Sequence, residues 1–278
     1  MKLAAYESGD SVLIGVLGAD DTITIFGERE AFWRDPQAAL SAGASGPSIP
    51  MSDVQQAPAV PASARVICVG LNYRNHAMEG GRGEEAIPTT PVIFGRWTAG
   101  LVCDGDECPV VEERYDWEGE LGAVIGTKMF RVDATAGLAG VFGYCAFNDL
   151  SARSFQRATP QWTMGKNGER SGPMSPITTA DEVGDPGDGL HLVTRVNGEV
   201  MQDDNTKDLI FPVGTLIEYI TQVMSLNPGD LIVTGTPAGV GAARRPPVFL
   251  TPGDTVEIEI DKVGKVSNRM VAAPSPTA

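Results

Sequence analysis

Short apolar runs, each closed by glycine, proline or a polar cluster, dominate the chain. Such runs read as strands rather than long helices. Two strands are expected over Ser11 to Leu17 and Asp21 to Phe26, with Gly18-Ala19-Asp20 as the turn, then a short helix over Glu28 to Leu40. Ser41 to Pro47 has the composition of a linker. Further runs cover Arg65 to Val69, Pro91 to Phe94, Leu121 to Gly126 and Val141 to Phe147, and Gly100 to Val111 reads as a hairpin leading into the Leu121 run. Leu150 to Arg157 reads as a short helix and Trp162 to Pro173 as a loop. Asn197-Gly198 between Leu190–Val196 and Glu199–Gln202 is a strong hairpin signal. Val213, Leu216, Ile217, Ile220 and Val223 recur at a helical period. Leu231 to Thr234 is a strand before the glycine-rich loop Gly235 to Gly241, and Thr255 to Ile260 is expected to be the last strand, with a frayed tail after Met270. These elements predict a β-rich α+β protein without a doubly wound sheet. The change of character at Pro61 divides it into a small N-terminal domain, residues 1–60, and a main domain, residues 61–278.

Charge and composition narrow the functional classes. The formal net charge of -15 argues against a nucleic-acid or anionic-membrane surface. It leaves room for a small anionic substrate, because a metal ion and one or two cations can dominate a pocket. No apolar stretch is long enough to span a bilayer and no signal peptide is apparent. Cys68, Cys103, Cys108 and Cys145 form no C-x-x-C pair, so a reduced, cytoplasmic protein is expected.

The candidate chemistry centres on Asp116-Trp117-Glu118-Gly119-Glu120. Side chains at i and i+2 of a strand share a face, so Glu118 and Glu120 point the same way. Asn148-Asp149 at the end of the Val141 run offers a third carboxylate. Oxygen donors without a nearby thiol or imidazole suit Mg²⁺ or Mn²⁺, whereas a Glu-x-Glu on a solvated face would need no ion. His76 and Glu79 lie three residues apart, so a helical turn would pair them as a base, or leave them an ordinary exposed pair. Gly80 to Glu85 after them has the composition of a lid. Arg96 is placed to meet an anion. Lys166, in a polar loop, is a solvated charge unless the carboxylates lie near it, where it would steady an oxyanion. The Gly235–Gly241 loop lacks the Gly-Lys-Ser/Thr of a phosphate loop, but its backbone N–H groups suit a carboxylate.

Taken in order, these motifs resemble the fumarylacetoacetate hydrolase family, in the branch of acylpyruvases and 2-hydroxyhepta-2,4-diene-1,7-dioate isomerases, over about residues 65 to 272. Gly70-Leu71-Asn72-Tyr73 with His76 and Glu79 resembles the family's lid dyad. Asp116 to Leu121 with Asn148-Asp149 resembles its metal-binding carboxylates, and Ser151-Ala152-Arg153 with Gln156 continues that motif. Lys166 with Gly172-Pro173 resembles the active-site lysine loop. Asn205-Thr206, Asp208, Pro228 to Ile232 and Thr234 to Gly241 resemble the C-terminal signature. Two positions depart from the pattern: Arg96 stands where the family often has lysine, and Glu169 where it often has aspartate.

The resemblance implies a mixed β-sandwich roll with a small N-terminal domain, a homodimer, and one Mg²⁺ or Mn²⁺ ion held by Glu118, Glu120 and Asp149. It implies catalytic roles for His76, Glu79 and Lys166, and substrate contacts from Arg96, Arg153, Gln156 and Thr236. The expected reaction is hydrolysis of a C–C bond in a 2,4-dioxo acid of the kind met in aromatic compound breakdown, with release of pyruvate or a related 2-oxo acid. Decarboxylation or isomerisation of a 2-oxo acid is the alternative. A non-catalytic protein that binds metal and 2-oxo acid on the same scaffold is the alternative from another class.

Overall fold

The computed structural model describes residues 1–79 and 83–275. Among them, eleven strands form one sheet and five form a second. In the larger sheet Ser48–Pro50, Thr22–Glu28, Ser11–Leu17 and Lys2–Ser8 continue through Ile177–Thr179 to Val141–Asn148, Gly119–Ile125, Leu231–Val233, Val66–Gly70 and Val92–Arg96, while Gln56–Ala57 pairs with Lys2–Ser8. The N-terminal strands are thus joined by backbone hydrogen bonds to the sheet that carries the carboxylates, through the pairing of Lys2–Ser8 with Ile177–Thr179. The second sheet runs Glu199–Asn205, His191–Val196, Thr255–Ile260, Gly264–Ala272 and Glu107–Val110. This is the mixed, β-rich architecture the sequence predicts.

The strand Gly119–Ile125 is buried on both faces. Leu121, Ala123 and Ile125 pack with Leu192, Ile258 and Ile260 of the second sheet. Val124 packs in the opposite layer with Phe142, Cys145, Phe32 and Trp33. Burial on both sides explains why this run is apolar throughout rather than alternating. Gly119 brings the two sheets together. A Cβ there would lie 2.1 Å from Thr194 Oγ1, closer than any side chain tolerates. Because Gly119 faces the second sheet, its neighbours Glu118 and Glu120 face away from it.

Several local expectations are corrected. Two helices, Arg29–Phe32 and Pro36–Ala42, replace the single one over Glu28 to Leu40. Pro36 has no N–H to continue a helix, and Asp35 caps the second by accepting from Ala38 N at 3.0 Å. Gly100 to Val111 is not a hairpin: Leu101–Val102 pairs in parallel with Gly172–Pro173, and Glu107–Val110 in parallel with Gly264–Ala272. Thr255–Ile260 is followed by a further strand, Gly264–Ala272. Residues 80–82 of the expected lid and 276–278 of the tail lie outside the described residues; Glu84–Ala86 forms one 3₁₀ turn. The Asn197-Gly198 hairpin is present, with φ of 53° and 82° as its turn requires. No helix among the described residues is long and apolar enough to cross a membrane.

Candidate active site

Three carboxylates converge where the Val141–Asn148 strand ends beside the start of Gly119–Ile125. Asn148 pairs with Gly119, and the Asp149 N–H donates to Glu118 O at 2.9 Å, which fixes Asp149 next to Glu118. One oxygen from each of Glu118, Glu120 and Asp149 lies within 4.8 Å of the others, and all three residues are buried.

Three buried cations surround them. Lys166 Nζ donates to Glu118 Oε2 and Asp149 Oδ2, each at 2.5 Å. Arg153 Nη1 donates to Glu118 Oε1 at 2.5 Å and its Nε to Asp116 Oδ2 at 2.8 Å. Arg96 Nη1 lies 2.8 Å from Asp149 Oδ1. Lys166 is therefore no solvated loop charge: it ends the short helix Thr163–Lys166 and is 1 % exposed. Burial disfavours its ammonium, but Asp149 and Glu118 outweigh burial and raise its pKa. Burial likewise opposes the Glu118 anion, and Lys166 and Arg153 overcome it, holding that carboxyl down at about 2. Among the described residues Glu120 has no such cation in contact. Burial, then Asp149 and Glu118, push its carboxyl well above the usual range, although Gly235 N donates to Oε2 at 2.5 Å.

Among the described residues, and with Asp116 included, four buried carboxylates meet three buried cations at this cluster, one negative charge more than positive. Among the described residues, moreover, Asp149 Oδ1 has no aligned hydrogen-bond donor, despite the nearby Arg96. A proton on Glu120 or a bound cation removes the excess. Buried oxygens with an unsatisfied atom among them fit a hard divalent ion held by Glu118, Glu120 and Asp149.

A cavity of about 550 Å³ opens onto this cluster and is lined by Glu118, Glu120, Lys166, His76 and Glu79. His76 Nδ1 lies 2.8 Å from Glu79 Oε2, which leaves Nε2 as the nitrogen available to a substrate or water. Arg153, Gln156 and Thr236 also line the cavity. Gln156 Oε1 accepts from Arg153 Nη1 at 2.9 Å. The Thr236 hydroxyl is engaged on both sides, donating to Gly119 O at 2.9 Å and accepting from Gln202 Nε2 at 2.7 Å. Arg96 is not on the cavity wall. Its guanidinium is turned inward onto the Lys166 and Ser171 carbonyls and Asp149, where it braces the lysine helix against the carboxylate.

The glycine-rich loop does cradle carboxylates, and they are the protein's own. Gly235 N donates to Glu120, Gly239 N to Glu79 at 2.7 Å, and Gly241 N and Ala242 N to Asp116 at 2.8 and 3.0 Å. Asp116, which opens the same motif as Glu118 and Glu120, is a further member of the site, and no local pattern in the sequence marks its role. It holds the loop through both oxygens and Arg153 through Oδ2.

The family model for the fumarylacetoacetate (FAA) hydrolase C-terminal domain matches residues 65–271. The chain belongs to this family. Human mitochondrial oxaloacetate tautomerase FAHD2A is 40% identical over 230 residues, covering 81% of this chain and 72% of the relative. The crystal structure of 5-carboxymethyl-2-hydroxymuconate delta-isomerase from Mycobacterium smegmatis superposes with a TM-score of 0.79 at 32% identity, covering 99% of this chain and 100% of that one. Fumarylpyruvate hydrolase from Pseudomonas aeruginosa, solved with Mn²⁺ and pyruvate, gives a TM-score of 0.69 at 30% identity over 79% of this chain and 92% of that one. The family so represented contains tautomerases, isomerases and hydrolases of 2-oxo acids and related compounds.

Proposed function

We propose that the protein is a Mg²⁺- or Mn²⁺-dependent enzyme that hydrolyses a C–C bond of a 2,4-dioxo acid and releases pyruvate or a related 2-oxo acid. The observation that carries this reading is the His76–Glu79 pair on the wall of the same cavity as Glu118 and Glu120. Glu118, Glu120 and Asp149 would hold the ion. When bound, it supplies a Lewis acid that stabilises negative charge on the carboxylate and 2-oxo end of the substrate. Lys166 holds an ammonium beside that end without rearrangement, since Glu118 and Asp149 fix it. His76, oriented by Glu79, takes a proton from water through Nε2, and the water oxygen adds to the carbonyl carbon at position 4. The bond between carbons 3 and 4 then breaks. Carbon 4 leaves as a carboxylic acid, and carbon 3 keeps the electron pair and takes up a proton to give pyruvate.

A second reading, keto–enol tautomerisation of oxaloacetate, is favoured by the 40% identity to a tautomerase. There His76 moves a proton between carbon 3 and the enol oxygen, and no water attacks. The test compares pyruvate release from acetylpyruvate with loss of enol absorbance from oxaloacetate, each with Mg²⁺ and with a chelator. Metal-dependent pyruvate release supports hydrolysis. Enol conversion without pyruvate release replaces it with the second reading, and neither activity rejects both. In a hydrolase, His76→Ala lowers turnover by about 10²- to 10⁴-fold with metal binding intact.

A further inference from the structure

The residue between the two glutamates is pinned by side chains. The pairing of Gly119–Ile125 with Leu231–Val233 covers only Gly122 to Val124, so on that edge Gly119 has no partner in the ladder. Its backbone groups are taken up in another way. Gly119 N donates to Gln202 Oε1 at 2.9 Å, and Gly119 O accepts from Thr236 Oγ1 at 2.9 Å. Gln202 Nε2 donates to the same threonine oxygen at 2.7 Å. The three groups close a ring of hydrogen bonds. It joins the Gly119 backbone, a glutamine from the strand Glu199–Asn205 of the second sheet, and a threonine of the glycine-rich loop.

Gln202 is saturated. Its Oε1 also accepts from Thr194 Oγ1 at 2.8 Å, and its Nε2 also donates to Pro237 O at 2.9 Å. Two bonds accepted and two donated are the full capacity of a primary amide. The residue is buried and does not line the cavity. Gly119 has the widest backbone freedom of any residue type. A turn of either peptide beside it would swing one glutamate away from the other. Glu118 is held from elsewhere by Lys166 and Arg153, but Glu120 accepts only from Gly235 N among the described residues. The place of Glu120 relative to Glu118 therefore depends on how firmly the Gly119 backbone is fixed.

We infer that Gln202 is a positioning residue for the metal-binding pair. It meets neither ion nor substrate itself, and acts by locking the Gly119 backbone so that Glu118 and Glu120 present their oxygens to one ion. The inference rests on the reading above that these carboxylates hold a divalent ion, and adds the group in the second sheet that keeps them in register. Groups that orient metal ligands in this way contribute about 10- to 100-fold to metal affinity.

The test is direct binding of Mn²⁺ to the metal-free protein, measured by calorimetry beside the urea midpoint in chelator. It compares the wild type, Gln202→Met, Thr236→Val, the two combined, and Asn268→Leu. Asn268 is also a buried amide of the second sheet, donating to the Cys103 and Asp106 carbonyls at 2.8 Å each, outside the ring. Its replacement shows what lost buried bonds alone do to ion binding. Gln202→Met is expected to weaken Mn²⁺ binding about 10- to 100-fold. The combined variant is expected to weaken it little further, because either change opens the same ring. Asn268→Leu lowers the urea midpoint and keeps wild-type affinity. Should Gln202→Met fail to fold, Thr236→Val opens the ring alone and carries the same expectation. Wild-type affinity in the folded ring variants, additive losses in the combined variant, or an equal loss in Asn268→Leu overturns the inference while the ion's assignment stands. Failure of the wild type to bind Mn²⁺ overturns that assignment and this inference with it.

Discussion

Glu79 is bonded at both carboxylate oxygens, with Oε2 2.8 Å from His76 Nδ1 and Oε1 accepting from the Gly239 N–H at 2.7 Å. The histidine is thus tied to the loop that also holds Glu120 and Asp116. Gly239 has a φ of 109°, and a Cβ there would meet the Met201 carbonyl oxygen at 2.2 Å. Gly239→Ala is expected to displace the loop, release Glu79 and lower kcat by about 10²-fold, the lower end of what a positioned acid or base contributes. Activity assays beside circular dichroism check this; wild-type kcat in a folded variant would show that the bond does not matter.

Metal binding is expected to strengthen with pH and to release a proton. In the metal-free protein Glu120 titrates well above its ordinary range. Between the ordinary glutamate value and the raised one, the folded protein binds a proton that the unfolded chain has lost. Stability of the metal-free protein therefore falls as pH rises through that window. The ion displaces this proton, so the gain in Tm on adding Mg²⁺ grows with pH across the same window. Calorimetry in buffers of different ionisation enthalpy counts the proton, and a buffer-independent heat would contradict the assignment.

The family resemblance implies a substrate contact for Arg96, whereas its guanidinium lies behind the cluster, buried against Asp149, Lys166 and Ser171. Removing Arg96 leaves buried Asp149 with Lys166, which it shares with Glu118, and strips the Lys166 and Ser171 carbonyls of their donor. Arg96→Met is expected to destabilise the protein by about 3–5 kcal/mol, seen as a lower urea midpoint in chelator. Arg96→Lys recovers only part, because one ammonium cannot reach the partners that the guanidinium fork joins. An unchanged midpoint in both variants would remove Arg96 from the frame of the site.

Much of the site is legible because its signals are local. Glu118 and Glu120 share a face through strand periodicity, and Asp149 follows a run that reads as a strand. Asn197-Gly198 announces its hairpin in two residues. Other features depend on distant chain. Lys2–Ser8 carries no strand pattern of its own, because Leu3 to Tyr6 is buried throughout, with small alanines in place of a β-type alternation. The parallel pairing of Glu107–Val110 with Gly264–Ala272 joins segments far apart in sequence, and no local pattern records it. From its neighbours in sequence Lys166 reads as an ordinary surface cation, and Arg96 as a cation placed to meet an anion, with nothing local to say that the anion is Asp149. Carboxylates from other strands bring both inside.

The loop from Gly235 to Ala242 organises the site through main-chain N–H groups, which every residue but proline possesses. Truncating its side chains to alanine leaves those donors in place. An alanine scan would therefore understate the loop, registering it only where a glycine is replaced or where the Thr236 hydroxyl, bonded to Gly119 O and Gln202 Nε2, is lost.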